Sequence, residues 1–255
     1  HLHVHSHYSL LDALPQVPDL VTEAKRRGFK ALALTDHGNL YGAIEFYEEC
    51  EKQGIKPIIG VEVYVAPGSL HDKATPHQKI AHLVLLAENR AGYDNLVKLV
   101  SIAQLEGIIA GKPCVDKALL RTHHDGIIAL SGCIEGELGQ MIFKENNPTK
   151  AKAVRLEYRD IFGEHYFFLE LGDLPALVGQ FELNAALQTI AKETGIPLVV
   201  TRDAHYLHSE DDAAQDTLVC IRDGVTTEEP NRVSMVGVDL SLAPGNVIAA
   251  RFKHL

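Results

Sequence analysis

A single α/β domain of the distorted (β/α)7 barrel type is the architecture this sequence predicts, on three observations. Seven short apolar segments alternate with stretches of helical periodicity along most of the chain. With 255 residues and 46% hydrophobic content, there is material for one full barrel core. Histidines, carboxylates and a cysteine recur near the segment ends, where barrels of parallel strands assemble their sites.

The first segment is His1-Leu2-His3-Val4-His5-Ser6-His7, continuing to Asp12. Histidines at every second position of an extended strand would share one face, which is a metal-binding pattern. Alternation with Leu2 and Val4, and continuation into Leu10, Leu11 and Asp12, set it apart from an affinity tag. Val17, Leu20, Val21 and Ala24 then repeat at helical spacing, with Asp19 in the first turn, Lys25 to Arg27 in the last and Gly28 as the stop. A strand is expected at Ala31–Thr35, leading through Asp36-His37-Gly38 into a helix from Leu40 to Gln53.

The third strand is Pro57–Tyr64, followed by a long surface loop from Ala66 to Lys79 in which His71 and His77 read as solvated. The fourth strand, His82–Leu86, leads to a helix whose apolar face is Tyr93, Leu96, Val97 and Val100. The fifth, Gly126–Ser131, precedes a helix carrying Leu138, Met141 and Ile142. The sixth, Tyr166–Leu171, precedes one with Leu183, Leu187, Ile190 and Ala191. The seventh, Pro197–Thr201, precedes the last, with Ala214, Thr217, Leu218 and Ile221. A parallel sheet closed into a barrel covers seven such strands economically. The expected barrel spans residues 1–232, and 233–255 is a tail with no predicted element, the start of a linker or a truncated continuation.

A net charge of -10 excludes a surface with general attraction for nucleic acid, although bound divalent metal would reverse the sign locally. Cys50, Cys114, Cys133 and Cys220 show no CxxC spacing and no charged-then-apolar leader is present, which predicts a cytoplasmic location. No unbroken apolar run is long enough for a bilayer span, and the missing initiator Met suggests numbering that starts inside a longer chain.

Nine side chains are expected to converge: His3, His5, Asp12, His37, Glu62, His82, Cys133, Asp203 and His205. Singly, Glu62 reads as readily as a surface carboxylate, His82 as a core histidine and Cys133 as a small buried hydrophobe. Together they suit zinc, with manganese or iron as alternatives. Nine donors exceed one tetrahedral ion, so two or three metals are expected, a cluster suited to phosphoester hydrolysis. Glu170 reads as a plain charged strand end sooner than as a support behind the ligands, Cys50, Cys114 and Cys220 as structural, and His123, His124, His165 and His208 as ordinary residues near helix ends.

The ordered motifs His3-Val4-His5, Leu10-Leu11-Asp12, Thr35-Asp36-His37-Gly38-Asn39, Gly54 to Glu62, Ala129 to Cys133 and Asp203-Ala204-His205-Tyr206 resemble the PHP (polymerase and histidinol phosphatase) domain. More narrowly, they resemble the PHP domain at the N-terminus of the bacterial DNA polymerase III alpha subunit, over about Leu2 to Arg232. The resemblance implies three metals: one held by His3, His5, Glu62 and Asp203, one by Glu62, His82 and Cys133, and one by Asp12, His37 and His205. It implies a 3′–5′ exonuclease acting on DNA 3′ ends, with Asp203, Glu62 and His5 as catalytic residues. The implied partners are the remaining polymerase domains and a proofreading or other replisome subunit. A metal-stabilised module without turnover and a free-standing phosphatase such as histidinol phosphatase are the alternatives, and an amidohydrolase ranks last. His7 and Arg202 depart from the family pattern beside the expected ligands, and the polymerase carboxylates lie outside these residues.

Overall fold

The computed structural model describes residues 1–72, 79–144 and 148–255, so His77 lies outside the described residues. In chain order the elements are α1 (Val17–Arg26), β1 (Ala31–Leu34), α2 (Ala43–Gln53), β2 (Lys56–Val65), β3 (Ala81–Ala87), α3 (Arg90–Glu106), β4 (Ile108–Ile109), β5 (Lys112–Val115) and α4 (Lys117–Thr122). There follow β6 (Ile127–Leu130), α5 (Glu137–Gly139) running into a π turn, α6 (Pro148–Phe162), β7 (Phe167–Gly172), α7 (Gln180–Thr194), β8 (Leu198–Thr201), α8 (Asp212–Asp223) and α9 (Gly245–Arg251).

Among the described residues, eight strands form one sheet in the order β4-β5-β2-β3-β6-β7-β8, with β1 paired to β2. This ladder does not close on itself. Residues 1–5 span the gap with separate backbone bonds, Thr35 N–H to Val4 O at 2.8 Å on the β1 side and His5 N–H to Ala204 O at 2.8 Å beyond β8. The inner layer is a small apolar cluster of Leu2, Ala33, Ile58, Val84, Leu86, Ile128, Leu130, Phe168 and Val199. Every one of the seven segments contributes to it, as the interior of a barrel requires. The alternate residues, such as Val61, Val63, Leu83, Leu85, Ala129, Leu169 and Leu171, pack outward under α3, α6 and α7 in the main core. Alternation therefore decides which side chains face inward, and the inward rows change character along their length. Ile58 is followed two and four residues on by Gly60 and Glu62, Phe168 by Glu170, Val199 by Thr201, and Val84 is preceded by His82.

Three expectations are corrected. The opening segment is not a strand: a bend at His3 breaks the alternation, and only Val4 forms a bridge, to Ala204. The sheet is not wholly parallel, because β3 runs antiparallel to both β2 and β6. The connection fits this, since a parallel neighbour needs a crossover and the described residues between β2 and β3 include no helix. That reversal brings His82, at the start of β3, to the same end as Glu62, near the end of β2. Third, β4, β5, α4, α6 and α9 arise where no element was expected, and the segment around Leu138 is a short turn of helix rather than a full one. The helix that covers β6 and β7 is α6, with Ala151, Val154, Tyr158, Ile161 and Phe162 in the core.

The segment after Arg232 packs on the barrel. Leu242 joins Val4, Leu20, Leu32 and Phe46 in a second apolar cluster, and Ser241 bridges to Tyr206. Arg202, 1% exposed, fastens this segment. It donates to Asp173 Oδ2 at 2.6 Å and Ser241 O at 2.8 Å, and pairs with Asp239 at 2.5 Å. Replacing it by methionine leaves Asp173 buried with only the partly exposed Arg251 as a cation. Arg202→Met is expected to lose about 3 kcal/mol in urea unfolding, as for breaking one side of a buried pair. A loss below about 1 kcal/mol would mean the arginine does not hold the segment in place.

Candidate metal centre

The site is built where the inward rows turn polar. Glu62 reaches it from β2, His82 from β3 and Glu170 from β7, while Asp203 and His205 follow β8 and His37 follows β1. Asp203 adopts φ 52, in the left-handed region that Asp tolerates better than most residues. His3 and His5 come from the opening segment, and each has its outer ring nitrogen engaged. Glu170 Oε1 accepts from His3 Nδ1 at 2.7 Å, and Ser9 Oγ accepts from His5 Nδ1 at 3.0 Å. Ser9 donates its hydroxyl proton to the buried Asp36 at 2.7 Å. Such partners fix both tautomers and turn Nε2 of each ring inward.

His3 Nε2, His5 Nε2, His37 Nδ1, Glu62 Oε2 and Asp203 Oδ1 are all buried without a hydrogen-bond partner. Buried polar atoms are normally satisfied, so five orphans in one place indicate a missing common partner. The two histidine Nε2 atoms lie 3.2–3.4 Å from Glu62 Oε2 and Asp203 Oδ1. These are four of the six edges of a tetrahedron, and edges of that length belong to ligands about 2.0 Å from a shared ion, the bond length of nitrogen or oxygen to zinc. The donor set and its spacing fit a metal.

Two further groups adjoin the first. His37, Glu62 and His82 form one, with His82 Nδ1 2.9 Å from Glu62 Oε1 and His37 Nδ1 2.8 Å from Oε2. His5, His37 and His205 form the other. Asp12 Oδ2 lies 2.8 Å from His37 Nε2 and 3.7 Å from His205 Nε2, and its other oxygen pairs with Arg222. Glu62, 1% exposed, thus turns one oxygen to each side.

Burial opposes charge on every one of these groups, yet their neighbours outweigh it for most. Glu62 is held well below the usual carboxylate range by His82, His3 and His37, and Asp203 is lowered by His3 and His205. Asp12 is lowered by the neighbouring His205 and His37. In return, Asp203 and Glu62 raise His3 well above its ordinary value, and Glu62 with Asp12 pushes His37 up to about 10. His205 is raised by Asp203 and Asp12. His5 goes the other way, to about 3, through burial and the facing His37 and His205. Without metal, protons on imidazoles neutralise the carboxylates.

Eight of the nine expected side chains thus come together. Cys133 belongs to none of the three donor groups among the described residues; burial, with the charges of Asp203 and Glu62, pushes its thiol well above the usual range. His37 stands with Glu62 and His82 as well as with His205. The four opening histidines divide: His1 bonds to Ala243 O at 2.8 Å and His7 packs on Tyr8, both away from the donors. Glu170 is no plain strand end but buried against His3 and Thr201, a role that an inward Glu two residues after Phe168 signals. The sequence assigns no role to Ser9 or Asp36, whose spacing carries no signal of its own.

A cleft of roughly 640 Å³ opens onto this cluster, lined by Asp12, His37 and His82 and by Tyr8, Tyr41, Tyr64, Lys112 and Arg222 among others. The PHP domain profile matches residues 1–173. The chain belongs to the PHP domain family. This PHP domain is 42% identical to the DNA polymerase III subunit alpha of Treponema pallidum (strain Nichols) over 100% of its own length and 22% of the relative's. It is 43% identical to that of Borreliella burgdorferi over 92% and 20%, and 41% identical to that of Thermus aquaticus over 91% and 19%. It thus spans about one fifth of the length of these relatives. Its fold is similar to that of a provisionally assigned metal-dependent phosphoesterase from Bifidobacterium adolescentis, with a TM-score of 0.50 and 13% identity over 98% of this chain and 94% of that one. It is also similar to an amidohydrolase from Chromobacterium violaceum solved with bound sulfate, with a TM-score of 0.51 and 15% identity over 80% and 86%.

Metal loading must displace the protons on His3 and His37. Zinc titration near neutral pH, by calorimetry in buffers of different ionisation enthalpy, is expected to release at least about one proton per chain, with affinity falling as pH falls. Uptake with no proton release would contradict the balance of imidazolium against carboxylate charge in the metal-free site.

Proposed function

We propose that this PHP domain is a metal-dependent phosphodiester hydrolase acting on DNA 3′ ends, a 3′–5′ exonuclease-type activity within a cytoplasmic replicative polymerase. The observation that carries it is the set of orphaned buried donors on His3, His5, Glu62 and Asp203. Identity of 41–43% to DNA polymerase III alpha subunits supports the replicative setting. The other polymerase domains would deliver the 3′ end and a proofreading or other replisome subunit is a further partner, which suits a chain of net charge -10. Residues 1–232 form the catalytic unit in this reading, with 233–255 as its continuation.

His3, His5, Glu62 and Asp203 would hold one ion, Glu62 with His82 and Cys133 a second, and Asp12, His37 and His205 a third. Imidazole, carboxylate and thiol donors favour zinc, with manganese or iron as alternatives. When bound, such ions supply an activated water at neutral pH and positive charge for the phosphoryl oxygens. The chain's own residues prepare the site. Glu170 and Ser9 keep His3 and His5 in the tautomer whose Nε2 faces inward. Arg222 fixes Asp12 from behind. Burial on every side but the cleft excludes bulk water and strengthens the field on the substrate.

Asp203→Ala separates this function from a metal-stabilised module without turnover. In highly purified protein, release of the terminal nucleotide from a single-stranded DNA is expected to fall by on the order of 100-fold or more, because even residues behind metal ligands contribute 10–100-fold. Nuclease activity that survives the change overturns the assignment.

A further inference from the structure

The turn and second strand of the β4–β5 hairpin line the cleft. Ile109 pairs with Lys112, and Ala110 and Gly111 between them have φ of 49 and 79, the left-handed pair of a tight two-residue turn. The hairpin is pressed onto the loop that carries His37: a Cβ on Gly38 would lie 2.8 Å from Pro113. Gln104 ties the same loop through Gly38 O at 3.1 Å. Lys112 is thereby carried to the rim, its Nζ 4.5 Å from the centre of the Tyr64 ring.

Among the described residues, Lys112 and Arg222 are the lysine and arginine side chains that line the cleft. Arg222 is engaged by Asp12 and by Asp223 at 2.8 Å. Lys112 is exposed, and among the described residues no carboxylate lies within 4.0 Å of it, so its charge is free for an incoming anion. Tyr41, 62% exposed, stands on the same rim. Its backbone N–H bonds to Asn39 Oδ1 at 3.1 Å, and Asn39 in turn donates to His37 O and Tyr8 O at 2.9 Å. An available cation and an exposed aromatic ring beside the donor cluster are what recognition of a single strand needs.

We infer that Lys112 and Tyr41 form the subsite for the last nucleotides of an unpaired DNA strand, Lys112 contacting a phosphate and Tyr41 stacking on a base. This rests on the reading of the domain as a hydrolase of DNA 3′ ends. A cleft of roughly 640 Å³ is the size of a small-ligand pocket. Stacking on Tyr41 needs a base released from its neighbours, so a base-paired end is the poorer ligand. The subsite therefore favours frayed or mismatched termini, which unpair at least cost.

The test is fluorescence anisotropy with the full chain, loaded with zinc, and a 5′-labelled single strand ending in phosphorothioate linkages that resist hydrolysis. Lys112→Ala is expected to weaken binding by about 5- to 10-fold and reduce the slope of log affinity against log salt by about 0.7. Tyr41→Ala is expected to weaken it by about 10-fold. Lys112→Arg is expected to restore binding, and a blunt duplex to bind more weakly than the strand. The absence of saturable binding, or equal binding by the wild type and both alanine variants, overturns the subsite. Hydrolysis of bis(p-nitrophenyl) phosphate separates the two readings. Binding losses without any hydrolysis remove the hydrolase and leave the subsite, whereas hydrolysis with unchanged binding does the reverse.

Discussion

The constraint on which the rest depends is the charge on Glu62. An ionised carboxylate sealed inside an apolar barrel is costly unless positive charge sits against it and its lone pairs are filled. Histidines approach Glu62 from both sides, from the opening segment, from the loop after β1 and from the start of β3. They supply only part of what its outer oxygen requires, because that oxygen still has no hydrogen-bond partner. A divalent ion satisfies the carboxylate and both imidazoles of His3 and His5 at once.

The fold follows from this requirement as much as the site does. The barrel's inner face is apolar at one end, where Leu2, Ala33 and Ile58 meet, and polar at the other. The reversal of β3 matters because it brings His82 to the polar end from the start of a strand rather than its finish. Residues 1–5 close the gap between β1 and the segment after β8, so the backbone bonds that complete the wall also set His3 and His5 in place. Arg202 extends the arrangement outward, fastening the segment from Asp239 to Ser241 to the strand end that carries Asp203.

Much of this was legible in the sequence, and the parts that were not share a cause. Strands β1, β2, β6, β7 and β8 stand out because buried strands are continuous apolar runs, and α1 because its caps and charges agree. The direction of β3 left its trace in the Pro-, Gly- and His-containing stretch between β2 and β3, whose sequence carries no helical periodicity, a sign outweighed by the βα rhythm on either side. The hairpin of β4 and β5 escaped notice since Ile108-Ile109 and Lys112-Pro113-Cys114-Val115 form no continuous apolar run, and Ala110-Gly111 is a weaker turn signal than Asn-Gly. Among site residues, His3, His5, Glu62 and Asp203 follow from spacing and strand ends. Ser9, Asp36 and Glu170 act by touching a histidine or its partner across 4 to 167 positions of sequence, and only the folded chain shows that.

Whether the buried donors are a metal centre is tested most directly by elemental analysis of the purified chain, after zinc loading and exhaustive dialysis. About two to three tightly held ions per chain are expected, given donors in excess of one tetrahedral set. A content below about one per chain would show that the orphaned donors hold no ion, and the metal centre would have to be abandoned.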